Sequence, residues 1–113
     1  MPFIDSKLTM KVTEEQKETL KSAFGNAISI VGKPESFLMV GFEDEYDLYL
    51  GGNKLDKGAF VAVSLFGNAS SEAYNKMTAE ICRILGRELG IPAEAVYITY
   101  EGVKDWGWNG RNF

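Results

Sequence analysis

The residue whose chemistry is most specific in this chain is Pro2, directly behind the initiator methionine. Initiator methionine is usually trimmed when the next residue is small, and proline qualifies. The mature chain would then open on a secondary amine, held rigidly on its ring with no rotamer to lose. An α-amino group has a reference pKa of about 7.7–8.0. An apolar pocket or a nearby cation lowers it, because both disfavour the charged form. A neutral amine at physiological pH is a competent general base. The plain alternative is that proline stands here by accident. Lys33, in the turn Gly32-Lys33-Pro34, is the second residue of interest. It can hold an anion, or it can simply complement the C-terminal end of a helix. The third feature is the tail Asp105-Trp106-Gly107-Trp108-Asn109-Gly110-Arg111-Asn112-Phe113, which carries both tryptophans of the chain. Such aromatics either face a ligand or pack as ordinary core.

What is absent narrows the chemistry further. There is no histidine, which removes Ser-His-Asp triads, Cys-His nucleophiles, zincin motifs and histidine-ligated haem. The single cysteine, Cys82, removes an intrachain disulfide, a CxxC redox pair and a cysteine-rich zinc site. A general base must therefore be a carboxylate, a lysine, a tyrosinate or the amino terminus itself. The net charge is -4, and the 12 basic residues are scattered, so no basic stripe exists for a phosphate backbone and nucleic acid is not an expected partner. No apolar run approaches the ~18–20 residues that span a bilayer. Asp5, Lys7 and Lys11 interrupt the N-terminus, so no signal peptide is expected and the location expected is cytoplasmic. Glu43-Asp44-Glu45-Tyr46-Asp47 reads as a solvated turn rather than a calcium loop. Asn68-Ala69-Ser70 fits a glycosylation sequon but reads as a loop leading into a helix cap, and Cys82 reads as core.

The elements that position these residues come in two copies. Shifting the sequence by 58 residues lays Gly32-Lys33-Pro34 on Gly90-Ile91-Pro92 and Phe42-Glu43 on Tyr100-Glu101. Each half reads strand, helix, Gly-x-Pro turn, strand. In the first, a strand over 3–9 precedes a helix that Thr13 and Gln16 open as a capping box. Leu20, Phe24, Ala27, Ile28 and Val31 then recur at helical spacing. Gly32 ends the helix, and a second strand covers 37–42. In the second half, a strand over 59–66 precedes a helix capped by Ser70 or Ser71, with Met77, Ile81, Cys82 and Leu85 on one face. A strand over 96–100 follows Pro92. Residues 46–50 and the tail from Trp106 read as short edge pieces. The expectation is one α+β domain over residues 1–113: a duplicated βαβ unit forming a four-stranded mixed sheet with both helices on one face.

The stretches Ala59-Phe60-Val61-Ala62-Val63 and Phe37-Leu38-Met39-Val40 are apolar on both faces, as in a sheet buried on both sides. Two helices cover one face only. The other is expected to meet another subunit.

The start Met1-Pro2-Phe3-Ile4, the Gly32-Lys33-Pro34 turn, the Val96-Tyr97-Ile98 strand and Trp108-Asn109-Gly110 ending in Phe113 stand in the order and spacing of the macrophage migration inhibitory factor family. The resemblance runs over the whole chain, and the family belongs to the tautomerase superfamily. It implies a homotrimer whose sheets form an inner barrel wrapped by six helices. It implies a keto–enol tautomerase acting on small aromatic α-keto acids without a cofactor, with Pro2 as catalytic base and Lys33 beside it. Leu65 and Phe66 would present backbone donors to the ligand. Tyr97 and Thr99 would come from the neighbouring subunit, and Phe37, Trp108 and Phe113 would line the pocket. The resemblance also implies an alternative, a cytokine-like ligand that leaves the cell without a leader and binds a surface receptor. The chain departs from the family at Thr99, where asparagine is frequent, and at Phe66, where an aliphatic residue is usual. Gly58 and Val61 replace the Cys-x-x-Cys pair of the mammalian cytokine, so thiol oxidoreductase activity tied to that pair is not expected.

Overall fold

The computed structural model describes residues 1–113. Strand β1 (Pro2–Leu8) leads to helix α1 (Glu14–Ala27), and a 3₁₀ turn over Ile28–Val31 ends at Gly32. A second 3₁₀ turn over Glu35–Phe37 precedes β2 (Met39–Glu43). A small hairpin, β3 (Tyr49–Leu50) with β4 (Asn53–Lys54), connects to β5 (Ala59–Phe66). Helix α2 (Ser71–Leu89), a 3₁₀ turn over Ala93–Ala95 and β6 (Val96–Val103) complete the second half. The tail forms a hairpin of β7 (Gly107–Trp108) and β8 (Arg111–Asn112).

The sheet order is β2-β1-β5-β6. β1 runs parallel to β2, antiparallel to β5, and β5 runs parallel to β6. The fold is thus α+β with a mixed four-stranded sheet and two helices. Local chemistry explains the elements. The Thr13 hydroxyl accepts from Gln16 N–H at 3.1 Å while the Gln16 side chain accepts from Thr13 N–H at 2.9 Å, satisfying two otherwise orphaned donors. Ser70, rather than Ser71, caps α2 by accepting from Ala73 N–H at 3.0 Å. The two halves end their helices alike. Gly32 and Gly90 take positive φ of 77° and 69°, a conformation open mainly to glycine. Pro34 and Pro92 then each precede a 3₁₀ turn.

Burial alternates along β1 and β5, as a sheet covered on one face requires. Ile4 and Leu8 of β1 and Val61, Val63 and Leu65 of β5 join Leu20, Phe24, Ile81 and Ile84 of the helices in one core. Ser6 lies in the same inward row, fully buried, and its hydroxyl has no hydrogen-bond partner. The register puts Phe3, Asp5 and Lys7 on the opposite face with Met39, Phe60, Ala62, Ser64, Tyr97, Thr99 and Glu101. That face is mixed rather than wholly apolar, because polar residues of β1 and β6 flank the apolar positions of β5.

Several boundaries differ from expectation. β1 starts at Pro2, one residue early, because Pro2 already pairs with Leu65. Phe37 is not in β2; the residues after Pro34 first close a 3₁₀ turn. β6 continues past Tyr100 to Val103 because β5 offers partners as far as Phe66. The stretch 46–50 becomes one arm of a hairpin whose tip is Gly51-Gly52, both at positive φ. Cys82 is half-buried, at the edge of the inward stripe that Ile81, Ile84 and Leu85 fill. Neither helix is long and apolar enough to cross a membrane.

Candidate active site

The end of β5 brings three elements to the N-terminus. Pro2 is buried and pairs with Leu65 across the antiparallel ladder. The next residue, Phe66, donates its N–H to the Met1 carbonyl at 2.9 Å. The carbonyl of Phe66 accepts from Lys33 Nζ at 2.8 Å. Lys33 can reach that carbonyl because Gly32 turns the chain back at the end of the first helical segment. Behind Phe66, Gly67 bends the strand away at φ 86°, and a Cβ there would stand 4.0 Å from Lys33 Nζ. Three donors belong to an ammonium, so two remain for a ligand once Phe66 is satisfied.

The terminal amine of Met1 is held below the usual α-amino range. Burial is the larger cause and the Lys33 charge the second. Both act in the same direction, since each disfavours the protonated form. The Pro2 nitrogen is bonded to the Met1 carbonyl carbon, so as an amide it has no basic lone pair in this form of the chain.

A cavity of about 390 Å³ opens at this point, lined by Met1, Pro2, Ser36, Phe37, Trp106 and Trp108 among others. Its outer wall is the β7–β8 hairpin, closed by Asn109 and Gly110 at φ 56° and 82°. Two successive positive φ values are what a tight two-residue hairpin turn needs. A run of aromatic contacts crosses this wall. Phe37 meets Trp108 edge to face, with centroids 5.8 Å apart. Trp108 meets Phe113 at 6.3 Å, and Phe113 meets Phe66 at 5.3 Å. Pro2, Lys33, Phe37, Phe66, Trp108 and Phe113 are therefore drawn into one region by a single chain.

Three other residues singled out in the sequence are placed differently. The Leu65 side chain is fully buried in the core, so any part it has in binding is limited to its backbone. Tyr97 and Thr99 lie on the open face of β6, opposite Phe60 and Ala62. Leu65 lies five residue steps beyond Phe60 along β5, which is roughly 17 Å of strand. One chain does not bring Tyr97 to Pro2. Tyr97 instead borders a separate apolar cavity of about 130 Å³ with Leu48, Leu50, Leu55 and Phe60. Ser36 and Met1, by contrast, line the larger cavity without having been picked out from the sequence. Ser36 follows the Gly-x-Pro turn by two residues, which is the only signal that could have found it. No group of three or more His, Cys, Asp or Glu side chains gathers to hold a metal ion.

The cavity itself is lined by the N-terminus and an aromatic wall, while Lys33 and Phe66 lie outside its lining, joined to the N-terminus through the Met1–Phe66 and Lys33–Phe66 hydrogen bonds. That set can remove a proton from a carbon acid and hold an anionic group of the same molecule.

The family model described as macrophage migration inhibitory factor matches residues 1–113. A macrophage migration inhibitory factor homolog of Trichinella spiralis is 27% identical over 115 residues, covering 100% of both chains. Among solved structures, Leishmania major MIF2 superposes with a TM-score of 0.93 at 32% identity, covering 100% of this chain and 97% of that one. The macrophage migration inhibitory factor of Toxoplasma gondii gives a TM-score of 0.90 at 26% identity, covering 98% and 99%.

Proposed function

The chain belongs to the macrophage migration inhibitory factor family, and from that premise we propose that it is a keto–enol tautomerase of small aromatic α-keto acids, with Pro2 as general base once Met1 is removed. The observation that carries this reading is geometric: Lys33 Nζ bonds the Phe66 carbonyl at 2.8 Å and the Phe66 N–H bonds the Met1 carbonyl at 2.9 Å, so a cation stands beside the amino terminus, where it and burial hold the Met1 amine below its ordinary range. Trimming Met1 moves the amine one residue inward, onto a buried ring, and leaves the same ammonium beside it. It also removes the carbonyl that now occupies the Phe66 N–H. One cleavage thus creates the base and frees a donor.

In the proposed reaction the neutral Pro2 nitrogen takes a proton from the carbon next to the keto group. The substrate carboxylate rests on the two free donors of Lys33 and on the Phe66 N–H. The ring of the substrate lies against Phe37, Trp108 and Phe113. The enolate oxygen, or a ring substituent, accepts from Tyr97 of a neighbouring copy, with Thr99 beside it. Pro2, now a cation, returns the proton to oxygen.

A homotrimer completes this site. It is supported by the family, by the strand's length of chain between Pro2 and Tyr97, and by what the open face leaves uncovered. Met39 is 68% exposed and Tyr97 60%, and both lie on strands at the edges of the sheet, which natural proteins rarely leave bare. A signalling role is the second reading; it rests on what the named relatives are called. A migration assay run beside the tautomerase assay on the same processed protein separates the two.

The test of the catalytic reading is Pro2→Gly in protein whose Met1 has been removed. Glycine keeps a free amine but makes it primary and mobile. Turnover of phenylpyruvate should fall by about tenfold to a hundredfold, with circular dichroism unchanged; that is below or at the lower end of the ~10²–10⁴-fold that a positioned general base contributes, because glycine still supplies an amine. Full activity in the variant contradicts the assignment.

A further inference from the structure

The β7–β8 hairpin is held to the body of the chain in a particular way. Its strand pairing is internal, Gly107 with Asn112 and Trp108 with Arg111. The Phe113 N–H bonds to the Trp106 carbonyl at 3.1 Å, again within the tail. A two-stranded hairpin is marginal by itself in water, so its position depends on what its side chains grip. Two aromatic contacts reach across to the body. Trp108 meets Phe37 at an interplanar angle of 82°, and Phe113 meets Phe66 at 64°. The two grips sit on different elements, the 3₁₀ turn before β2 and the last residue of β5. They are bridged within the hairpin by the Trp108–Phe113 contact.

We infer that the ring of Phe66 is a positioning residue that clasps the C-terminal hairpin through Phe113, fixing the aromatic wall and with it the preference for aryl over aliphatic side chains. The selectivity part rests on the tautomerase reading; the clasp does not. Phe66 suits the role because its backbone is held by Lys33 and by its pairing with Val103 of β6, and both contacts survive the removal of Met1. A ring on so constrained a backbone holds its partner at a set distance from the Lys33 cation. The spacing between the anion-holding group and the aromatic wall is therefore set at one residue. A branched aliphatic side chain at this position keeps both backbone contacts but loses the edge-to-face geometry, leaving Phe113 and Trp108 free to swing.

The experiment uses full-length protein and the variants Phe66→Leu, Phe113→Leu and the double variant. Both tryptophans lie in the tail, so tryptophan fluorescence, excited at the red edge where the tyrosines do not absorb, reports on the tail. Phe66→Leu should shift emission to the red and increase acrylamide quenching, and Phe113→Leu should do the same. The double variant should be no worse than either single one, since both remove the same contact. In processed protein, Phe66→Leu should raise KM for phenylpyruvate about two- to tenfold relative to a branched aliphatic 2-oxo acid, the range for one aromatic pair. The acid limb of the pH profile should stay in place, because Lys33 keeps its charge and its carbonyl partner. Should Phe66→Leu not fold, Phe113→Leu carries the test from the half-exposed end of the clasp. Unchanged fluorescence and unchanged selectivity in the variants overturn the inference while leaving the tautomerase reading intact. If wild-type processed protein shows no turnover, the tautomerase reading and the selectivity fail together, and the fluorescence coupling decides the clasp.

Discussion

Lys33 Nζ stands 2.8 Å from the carbonyl oxygen of Phe66, while the N–H of that same residue bonds the Met1 carbonyl at 2.9 Å. A single residue of β5 thus links the Lys33 cation to the N-terminus. This contact places the lysine charge where it can act on the terminal amine, and the lowered basicity of that amine follows from it in part.

Lys33→Ala removes a like charge from beside the amine. The amine pKa should rise, since protonation is no longer opposed by that charge. The base is active when neutral, so the acid limb of kcat/KM should move to higher pH. KM for α-keto acids should rise about tenfold to a hundredfold, as for loss of a hydrogen bond to a charged group of about 1.5–3 kcal/mol. Lys33→Arg should retain most of both effects, though the planar fork fits the Phe66 carbonyl differently. A pH–rate series on the variants checks this; an unmoved acid limb with unchanged KM leaves Lys33 as a helix-end cation only.

Ser6 buries an unpartnered hydroxyl in the core. Replacing both the group and its desolvation cost with a methyl should stabilise the fold. Ser6→Ala is expected to gain about 1 kcal/mol, the lower end of the cost of an unsatisfied buried polar group. Urea denaturation of the variant should show a higher midpoint at unchanged slope. A lower midpoint means that the hydroxyl has a partner in solution.

Gly102 packs against the turn that follows β5. A Cβ there would collide with the Asn68 side chain and the Gly67 carbonyl. Gly102→Ala should cost about 1–3 kcal/mol through overpacking. It should also disturb the corner that holds Lys33, so KM should rise along with the loss of stability. Thermal unfolding and kinetics on one preparation test the pairing of the two effects. Wild-type stability in the variant shows that the turn moves aside freely.

The open face of the sheet and its two edges predict association. Sedimentation equilibrium should return about three times the 12.5 kDa chain mass. A monomer at micromolar concentration leaves Tyr97 and Thr99 with no route to Pro2.

Much of this architecture could be read from local chemistry. Thr13, Ser70, Gly32 and Gly90 mark helix ends because caps and positive φ restrict residue type strongly. The alternation of burial along β5 is not legible in the sequence, because Ala59-Phe60-Val61-Ala62-Val63 is apolar at inward and outward positions alike. Phe37 reads as strand in the sequence because a 3₁₀ turn after Pro34 leaves no periodic trace in three residues. The hairpin at Gly51-Gly52 was hidden by the brevity of its strands. In the site, Pro2 and Lys33 stood out by type and position, whereas Ser36 did not. Its place in the cavity comes from how the turn before β2 folds across the sheet end, a contact between distant segments. The Met1–Phe66 bond is of the same kind, since it exists only once β1 and β5 are in register.

The central claim is that a freed proline nitrogen is the base. Intact-mass analysis should be run first on a processed sample and on one in which Met1 is retained, followed by phenylpyruvate turnover on both. Retention keeps Pro2 an amide and keeps the Phe66 N–H occupied. The processed protein should turn over the keto acid, and the unprocessed protein should be slower by about a hundredfold or more, at the level expected when a general base is lost. Equal rates in two samples of verified mass contradict the account.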